Sequence, residues 1–230
     1  ALSSVARKVV LLAPTGRAAK VLSLNAGRPA YTIHRKIYRQ KTFEGTFSLN
    51  DNLHSDTLFV VDEASMIAND GFTQSVFGSG RLLDDLTQYV YNGRNCRLML
   101  IGDTAQLPPV GEEESPALSS DFMRGYGFDV FDADLREVLR QSALSGILYN
   151  DTIIRQMITH DEMTQLPKIT FAGFADIQVV TGNDLIEQLS TSYAEVGHDE
   201  TMVVTRSNKR ANIYNQGIRN MVLGCEEQLC

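Results

Sequence analysis

The sequence predicts an α/β fold in which a parallel sheet is flanked by helices. Lys8-Val9-Val10-Leu11-Leu12-Ala13, Phe59-Val60-Val61 and Cys96-Arg97-Leu98-Met99-Leu100-Ile101 are apolar runs of strand length, the pattern of buried strands. Each run ends abruptly, in Pro14-Thr15-Gly16-Arg17, in Asp62-Glu63 and in Gly102-Asp103. Helical periodicity lies between them, at Ala18–Leu22 and Leu82–Val90. Open α/β sheets bind ligands at the carboxyl ends of their strands, so the residues that end these runs are the candidate site.

The first strand, turn and helix open a βα unit. Backbone N–H groups at the start of such a helix suit a phosphate, although an ordinary βα turn reads the same. After Tyr31-Thr32-Ile33-His34-Arg35-Lys36 come two β-prone runs, Ile37–Phe43 and Thr46–Asn50, joined through Glu44-Gly45. They predict a hairpin with little apolar surface, projecting from the body rather than joining the core. Arg35, Lys36, Arg39 and Lys41 interleave there with Tyr38 and Phe43, a combination suited to phosphates and base faces and equally to a solvated surface.

The run Phe59-Val60-Val61-Asp62-Glu63-Ala64-Ser65-Met66 reads as a Walker B element. Asp62 would hold Mg2+ through its water shell, and Glu63 would orient and deprotonate an attacking water. Many strands also end in an acid simply because the chain returns to solvent. The helix at Leu82–Val90 turns an apolar face to the core and leaves Asp84-Asp85 on its polar face, with no chemistry assigned. The third strand runs into Gly102-Asp103-Thr104-Ala105-Gln106-Leu107-Pro108-Pro109-Val110. The two prolines stiffen the backbone that carries Gln106, an amide suited to sensing a terminal phosphate. Glu112-Glu113-Glu114 reads as a solvated loop.

Composition bounds the rest. With 230 residues, 43% hydrophobic and 21% charged, the chain has the makeup of a globular protein of one or two domains. No apolar run approaches the ~20 residues of a membrane span, and Ala1–Lys8 is unlike a signal peptide, so a cytoplasmic location is expected. Cys96, Cys225 and Cys230, with His34, His54, His160 and His198, have neither zinc-ligand spacing nor the spacing of a disulfide framework. A formal charge of −7 argues against broad coating of nucleic acid and leaves room for a local basic groove.

Three strings now carry a family likeness. Ala13-Pro14-Thr15-Gly16-Arg17-Ala18-Ala19, Val61-Asp62-Glu63-Ala64-Ser65-Met66 and Gly102–Val110 resemble helicase motifs Ia, II and III in the wording of superfamily 1B DNA helicases of the RecD/Dda type, which includes the exodeoxyribonuclease V alpha subunit. Leu135-Arg136-Glu137-Val138-Leu139-Arg140-Gln141 resembles motif IV. The resemblance implies a RecA-like P-loop NTPase fold, with an incomplete first domain over 1–126 and the start of a second over 127–230. It makes the hairpin at about 36–50 the pin that splits a duplex. It implies catalytic roles for Asp62, Glu63, Gln106 and Arg140, with Gln106 and Arg140 reading the γ-phosphate of ATP and Asp62 holding Mg2+. It implies contacts to single-stranded DNA and duplex junctions at Pro14, Thr15, Arg17, Thr32, His34, Phe43, Arg206 and Asn208, with Lys209 beside them. Arg206–Lys209 equally suits an exposed basic turn. In the second domain, strands are expected at Phe128–Leu135, Ala175–Thr181 and Thr201–Thr205, and helices at Ile147–Ile158 and Ala211–Arg219. Arg140 is expected to face Asp62 and Glu63 across the interdomain cleft.

One departure matters. None of the 17 glycines precedes a lysine, so GxxxxGK[ST], which supplies most of a phosphate cradle, is not in this sequence. The expectation is an internal fragment, lacking Walker A and motifs V and VI, of an ATP-driven 5'-3' helicase of repair or recombination. Such a fragment would not turn over ATP alone, and its parent would work with other subunits of a recombination complex. A non-catalytic DNA- or partner-binding module is the alternative. An exonuclease is a weaker one, because two-metal chemistry needs more convergent carboxylates than Asp62-Glu63.

Overall fold

The computed structural model describes residues 8–40, 47–70, 76–135, 145–159 and 166–224. The chain divides into two compact units, Ala1–Glu137 and Val138–Cys230. In the first, β1 (Lys8–Ala13) leads through α1 (Gly16–Ala26) to β2 (Ala30–Thr32), α2 (Ile33–Ile37), β3 (Tyr38–Gln40) and β4 (Phe47–Leu49). There follow β5 (Thr57–Val61), α3 (Leu82–Tyr91), β6 (Arg97–Leu100) and α4 (Ser120–Gly125). A four-stranded sheet runs in the order β2-β1-β5-β6, every neighbouring pair parallel. All three apolar runs are therefore strands of one parallel sheet, as the sequence predicts.

The central run is continuous because β5 is covered on both faces, whereas β6 alternates between exposed and half-buried residues. All five residues of β5 are buried. Leu58 and Val60 join Leu11 in a cluster that includes Leu22 of α1, while Phe59 and Val61 join Leu12 in a larger one with Ile33, Ile37, Leu83, Leu86 and Val90. Successive strand side chains point to opposite faces, so one β5 serves both clusters. Helix α3 buries Leu83, Leu86 and Val90 at helical spacing. Its last turn is closed from outside, where the Asn52 side-chain amide donates to the carbonyls of Tyr89 (2.9 Å) and Val90 (3.1 Å). Truncating Phe59, which is fully buried, removes the anchor of the larger cluster, a change that costs about 3–5 kcal/mol in comparable cores.

Strands β3 and β4 pair antiparallel, Tyr38 opposite Leu49 and Gln40 opposite Phe47. The expected hairpin is present at its base, but that base is rooted in the core rather than projecting from it. Tyr38 is buried, and Phe47 stacks on Phe77 with ring centroids 4.7 Å apart. The Phe47 N–H donates to the Val76 carbonyl and its own carbonyl accepts from the Gly78 N–H, both at 2.8 Å. The alternation of Tyr38 and Phe47 with polar neighbours hid an apolar face supplied by a distant residue, Phe77.

Phe128–Leu135 forms no strand. Phe128, itself within the first unit, instead stacks on Tyr91, centroids 4.3 Å apart. The described residues of the second unit form α5 (Gly146–Thr159), α6 (Leu185–Glu195) and α7 (Asn208–Gly217), the last continuing as a π-turn at Ile218–Val222. Helices were expected at the positions of α5 and α7. The Asp176 carboxylate caps α5 by accepting from the Ser145 hydroxyl (2.6 Å) and the N–H groups of Gly146 (2.8 Å) and Ile147 (3.3 Å). The strands expected at Ala175–Thr181 and Thr201–Thr205 do not form among the described residues. In the second stretch Thr201, Val203 and Thr205 are half-buried and Met202 and Val204 exposed, so the two-residue period is there without a ladder.

Candidate nucleotide and nucleic-acid site

Parallel register assembles the site. Ala13 lies opposite Thr32, Leu12 opposite Val61, and Val61 opposite Leu100. The residues that follow the four strands therefore emerge side by side along one sheet edge: Thr32 and His34, then Pro14, Thr15 and Arg17, then Asp62 and Glu63, then Gly102 to Gln106. From β1 the chain passes outward to β2 and then returns to the opposite side as β5. The edge between β1 and β5 is thus the topological switch point, where sheets of this kind open a crevice for ligands.

Asp62 and Glu63 stand at that point. The Asp62 N–H donates to the Leu12 carbonyl (3.0 Å) and the Ala64 N–H to the Ile101 carbonyl (2.8 Å), so both neighbouring strands hold the turn. Glu63 adopts φ 55°, ψ 39°, the left-handed region, where a side chain costs about 1–2 kcal/mol. Asp62, half-buried, accepts the Glu63 N–H at Oδ1 (3.0 Å), which steadies the kink. A single half-buried carboxylate at a strand end fits Mg2+, an ion that keeps several waters and takes one or two protein carboxylates plus substrate phosphates.

Gln106 is brought to the same turn. Gly102 is the point of closest approach, since a Cβ there would lie 2.9 Å from the Ser65 backbone nitrogen and 2.9 Å from Leu118 Cδ1. Beyond it Asp103 folds the loop, its Oδ1 accepting the Ala105 N–H (2.9 Å) and its carbonyl the Gln106 N–H (3.2 Å). The buried Ser65 hydroxyl donates to Gln106 Oε1 at 3.4 Å, which leaves the exposed side-chain NH2 to donate outward.

Two acidic stretches lie otherwise than the sequence suggests. Glu112 is half-buried rather than solvated, and its Oε1 accepts the N–H groups of Asn69 and Asp70. Asp85 is buried and accepts from the Tyr38 hydroxyl (2.6 Å) and the Ser79 N–H (3.0 Å). Asp84 accepts from Asn69 Nδ2 (3.0 Å) and from the Tyr126 hydroxyl. A doubled acid at the start of a helix looks solvated until the partners arrive from other segments. Tyr38 Oη and Tyr126 Oη are both held protonated, by burial first and by these carboxylates second.

On the β2–β1 side, Thr15 and Thr32 are helix N-caps: the Thr15 hydroxyl accepts the Ala18 N–H (3.2 Å) and the Thr32 hydroxyl the Arg35 N–H (3.3 Å). Arg17 is exposed on the first turn of α1. The exposed Tyr31 ring carries the Arg35 guanidinium at 5.9 Å and the Lys36 ammonium at 5.7 Å from its centroid. His34 packs edge-on against Phe77 at 5.0 Å, and burial lowers its pKa. Arg39 is paired with Asp51 at 3.2 Å. Phe43 and Arg140 lie outside the described residues. In the second unit Ser207 caps α7 by accepting the Arg210 N–H (3.3 Å), and Arg206, Asn208 and Lys209 around it are exposed. Ser65, Asn69, Gly102 and Glu112 were not singled out from the sequence. Ser65 and Gly102 lie inside strings that were, but Asn69 and Glu112 act through contacts more than forty positions apart, which no local pattern records.

A parallel sheet in the order β2-β1-β5-β6 flanked by helices fits an α/β RecA-like P-loop fold. The family model described as an AAA domain matches residues 1–147. The chain belongs to that family, a P-loop type found in RecD-like and superfamily 1 helicases and generally using ATP with Mg2+. It is also similar to "Uncharacterized protein R530" of Acanthamoeba polyphaga mimivirus, 25% identical over 179 residues, which are 75% of this chain and 33% of that protein. The chain thus spans about a third of the length of this relative. No helix among the described residues is long and apolar enough to cross a membrane.

Proposed function

We infer that the chain is part of an ATP-dependent DNA helicase of the RecD/Dda type that moves 5'-3' on single-stranded DNA in repair or recombination, with other subunits as partners. The observation that carries this reading is the order of residues along the sheet edge. Phosphate-reading candidates occupy the β5–β6 half and strand-binding candidates the β2–β1 half, so nucleotide chemistry and single-strand contact share one rigid support. The family match supports the nucleotide half.

In this reading Glu63, fixed in its left-handed turn, orients and deprotonates water. Gln106, its oxygen held by Ser65, donates its amide to the γ-phosphate. Asp62 would hold Mg2+, which supplies charge neutralisation to the phosphates when bound. Arg140 adds a second γ-phosphate contact. Pro14, Thr15, Arg17, Thr32 and His34 follow the strand, the hairpin with Phe43 divides the duplex, and Arg206 and Asn208 engage the strand from the second unit.

The test is Glu63→Gln in a longer chain that carries a GxxxxGK[ST] loop. It is expected to leave ATP binding in place and lower DNA-stimulated turnover by about 10²-fold or more, the scale of lost general-base catalysis. Lost nucleotide affinity with turnover intact would contradict the assignment. Single-strand binding with no turnover in the wild-type protein would favour a binding module. Mg2+-dependent cleavage of labelled strands would favour an exonuclease.

A further inference from the structure

We propose that the adjacent carboxylates Asp84 and Asp85 of α3 couple the loop carrying Gln106 to the β3–β4 hairpin, so that a change at one is felt at the other; its functional meaning rests on reading that loop as the nucleotide sensor and the hairpin as the strand separator. The connection is unbroken. Glu112, just past Pro108-Pro109, turns its N–H back onto the Pro109 carbonyl (3.1 Å), while its Oε1 accepts the N–H groups of Asn69 and Asp70, the latter at 2.9 Å. The Asn69 side chain then grips a single residue twice, accepting the Asp84 N–H (3.1 Å) and donating to Asp84 Oδ1 (3.0 Å). Helix α3 has no side-chain bond from its N-cap, Arg81, so Asn69 supplies a partner that its first turn would otherwise lack.

The next residue faces the hairpin. Asp85, 4% exposed, accepts at one oxygen from the hydroxyl of Tyr38, the first residue of β3, and from the Ser79 N–H. Gly78 lies so close that a Cβ would stand 2.0 Å from this oxygen, and the neighbouring Phe77 stacks on Phe47 of β4. Both strands of the hairpin are therefore fastened around Asp85, one helix position from the residue that Asn69 holds. A buried, satisfied carboxylate in low dielectric resists displacement, because losing a partner leaves it desolvated. Movement of the Gln106 loop reaches α3 through Glu112 and Asn69 and reaches the hairpin through Asp85.

Amide hydrogen exchange on the 230-residue chain tests the coupling without nucleotide. Glu112→Ala, which removes the acceptor of both N–H groups, is expected to raise exchange of the β3 and β4 amides by about 2- to 30-fold, the range seen when residues along a coupling route are altered. Asp85→Ala should do the same, with Tyr38→Phe, which removes only the hydroxyl, as a second route. The Glu112→Ala/Asp85→Ala double variant should exchange no faster than Asp85→Ala alone, and Arg97→Gln, at an exposed position of β6, should change nothing. Hairpin protection unaffected by Glu112→Ala, additive effects in the double variant, or a uniform rise that includes β1 and β5 each overturns the proposal. In the longer chain, Asp85→Ala should retain DNA-stimulated ATP turnover while opening fewer base pairs per ATP. Equal loss of both, or loss of neither, overturns the functional coupling. Absence of DNA-stimulated turnover in the wild type overturns instead the helicase reading, and the exchange result stands apart from it.

Discussion

At the scale of single residues, the site depends on close approach more than on charge. Gly102 has no room for a methyl group against the Ser65 nitrogen and Leu118. Gly102→Ala must push β6 away from the turn that carries Glu63, and overpacking of this kind costs about 1–3 kcal/mol. Urea unfolding of the two chains should show a lower midpoint at unchanged slope; an unchanged midpoint would mean that the approach is softer than described. His34 provides a second test. Burial lowers its pKa from the ordinary 6.5, so the unfolded chain takes up a proton more readily than the folded one. The sign follows from linkage: stability is full above about pH 6.5 and is lost as pH falls from there toward the folded pKa. His54 acts in the same direction, through burial first and then the charges of Lys36 and Lys8. Melting temperatures at pH 7.5 and 5.5 should differ, and His34→Gln should reduce that difference; an identical difference in the variant would remove His34 from the account.

At the scale of elements, the N-caps join stability to proposed binding. Thr15 closes the first turn of α1, and Thr→Ala at such a position costs about 1 kcal/mol. Thr15→Asp keeps an N-cap acceptor and adds charge that the helix dipole favours, so it should be as stable as the wild type. The same charge would repel a phosphate backbone, so single-strand affinity should fall in Thr15→Asp without loss of melting temperature. Affinity that tracks stability in both variants would reduce Thr15 to a cap. The elements were legible in the sequence where one local cause sufficed. The run at β5 is apolar because both its faces are covered, and the helical period of α3 follows from its single buried face. Strand pairing was not legible at Phe128–Leu135 or Thr201–Thr205, because β-prone composition describes a surface and not a partner. The rooting of the hairpin was hidden for the same reason, with Phe77 thirty positions away from Phe47 in sequence. The site's edge could be read from Asp62-Glu63 and Gln106 because each ends an apolar run. The polar contacts behind it, through Asn69, Asp84 and Glu112, are tertiary and left no periodic trace.

At the scale of the whole molecule, the question is how a chain of net charge −7 would hold a polyanion. Bulk charge and local cations compete, and distance decides between them. At 0.1 M salt the Debye length is about 10 Å, so acids across the molecule are largely screened while direct phosphate contacts are not. Arg17 is exposed, Arg35 and Lys36 lie over the open Tyr31 ring, and Arg39 is already paired with Asp51. Three neutralised phosphates would give log Kobs a slope of about −2 against log salt on single strands, much shallower than for a protein that coats DNA. Fluorescence anisotropy of a labelled oligonucleotide, titrated with the 230-residue chain at several salt concentrations, measures this directly. Arg17→Ala should make the slope shallower by about 0.7 and weaken binding on every sequence alike, since a phosphate contact carries no base information. Tyr31→Ala should weaken binding with the slope nearly unchanged, because it removes a stacking face rather than a charge. A steep wild-type slope, or one that Arg17→Ala leaves intact, would put the contact surface elsewhere than the β2–β1 edge.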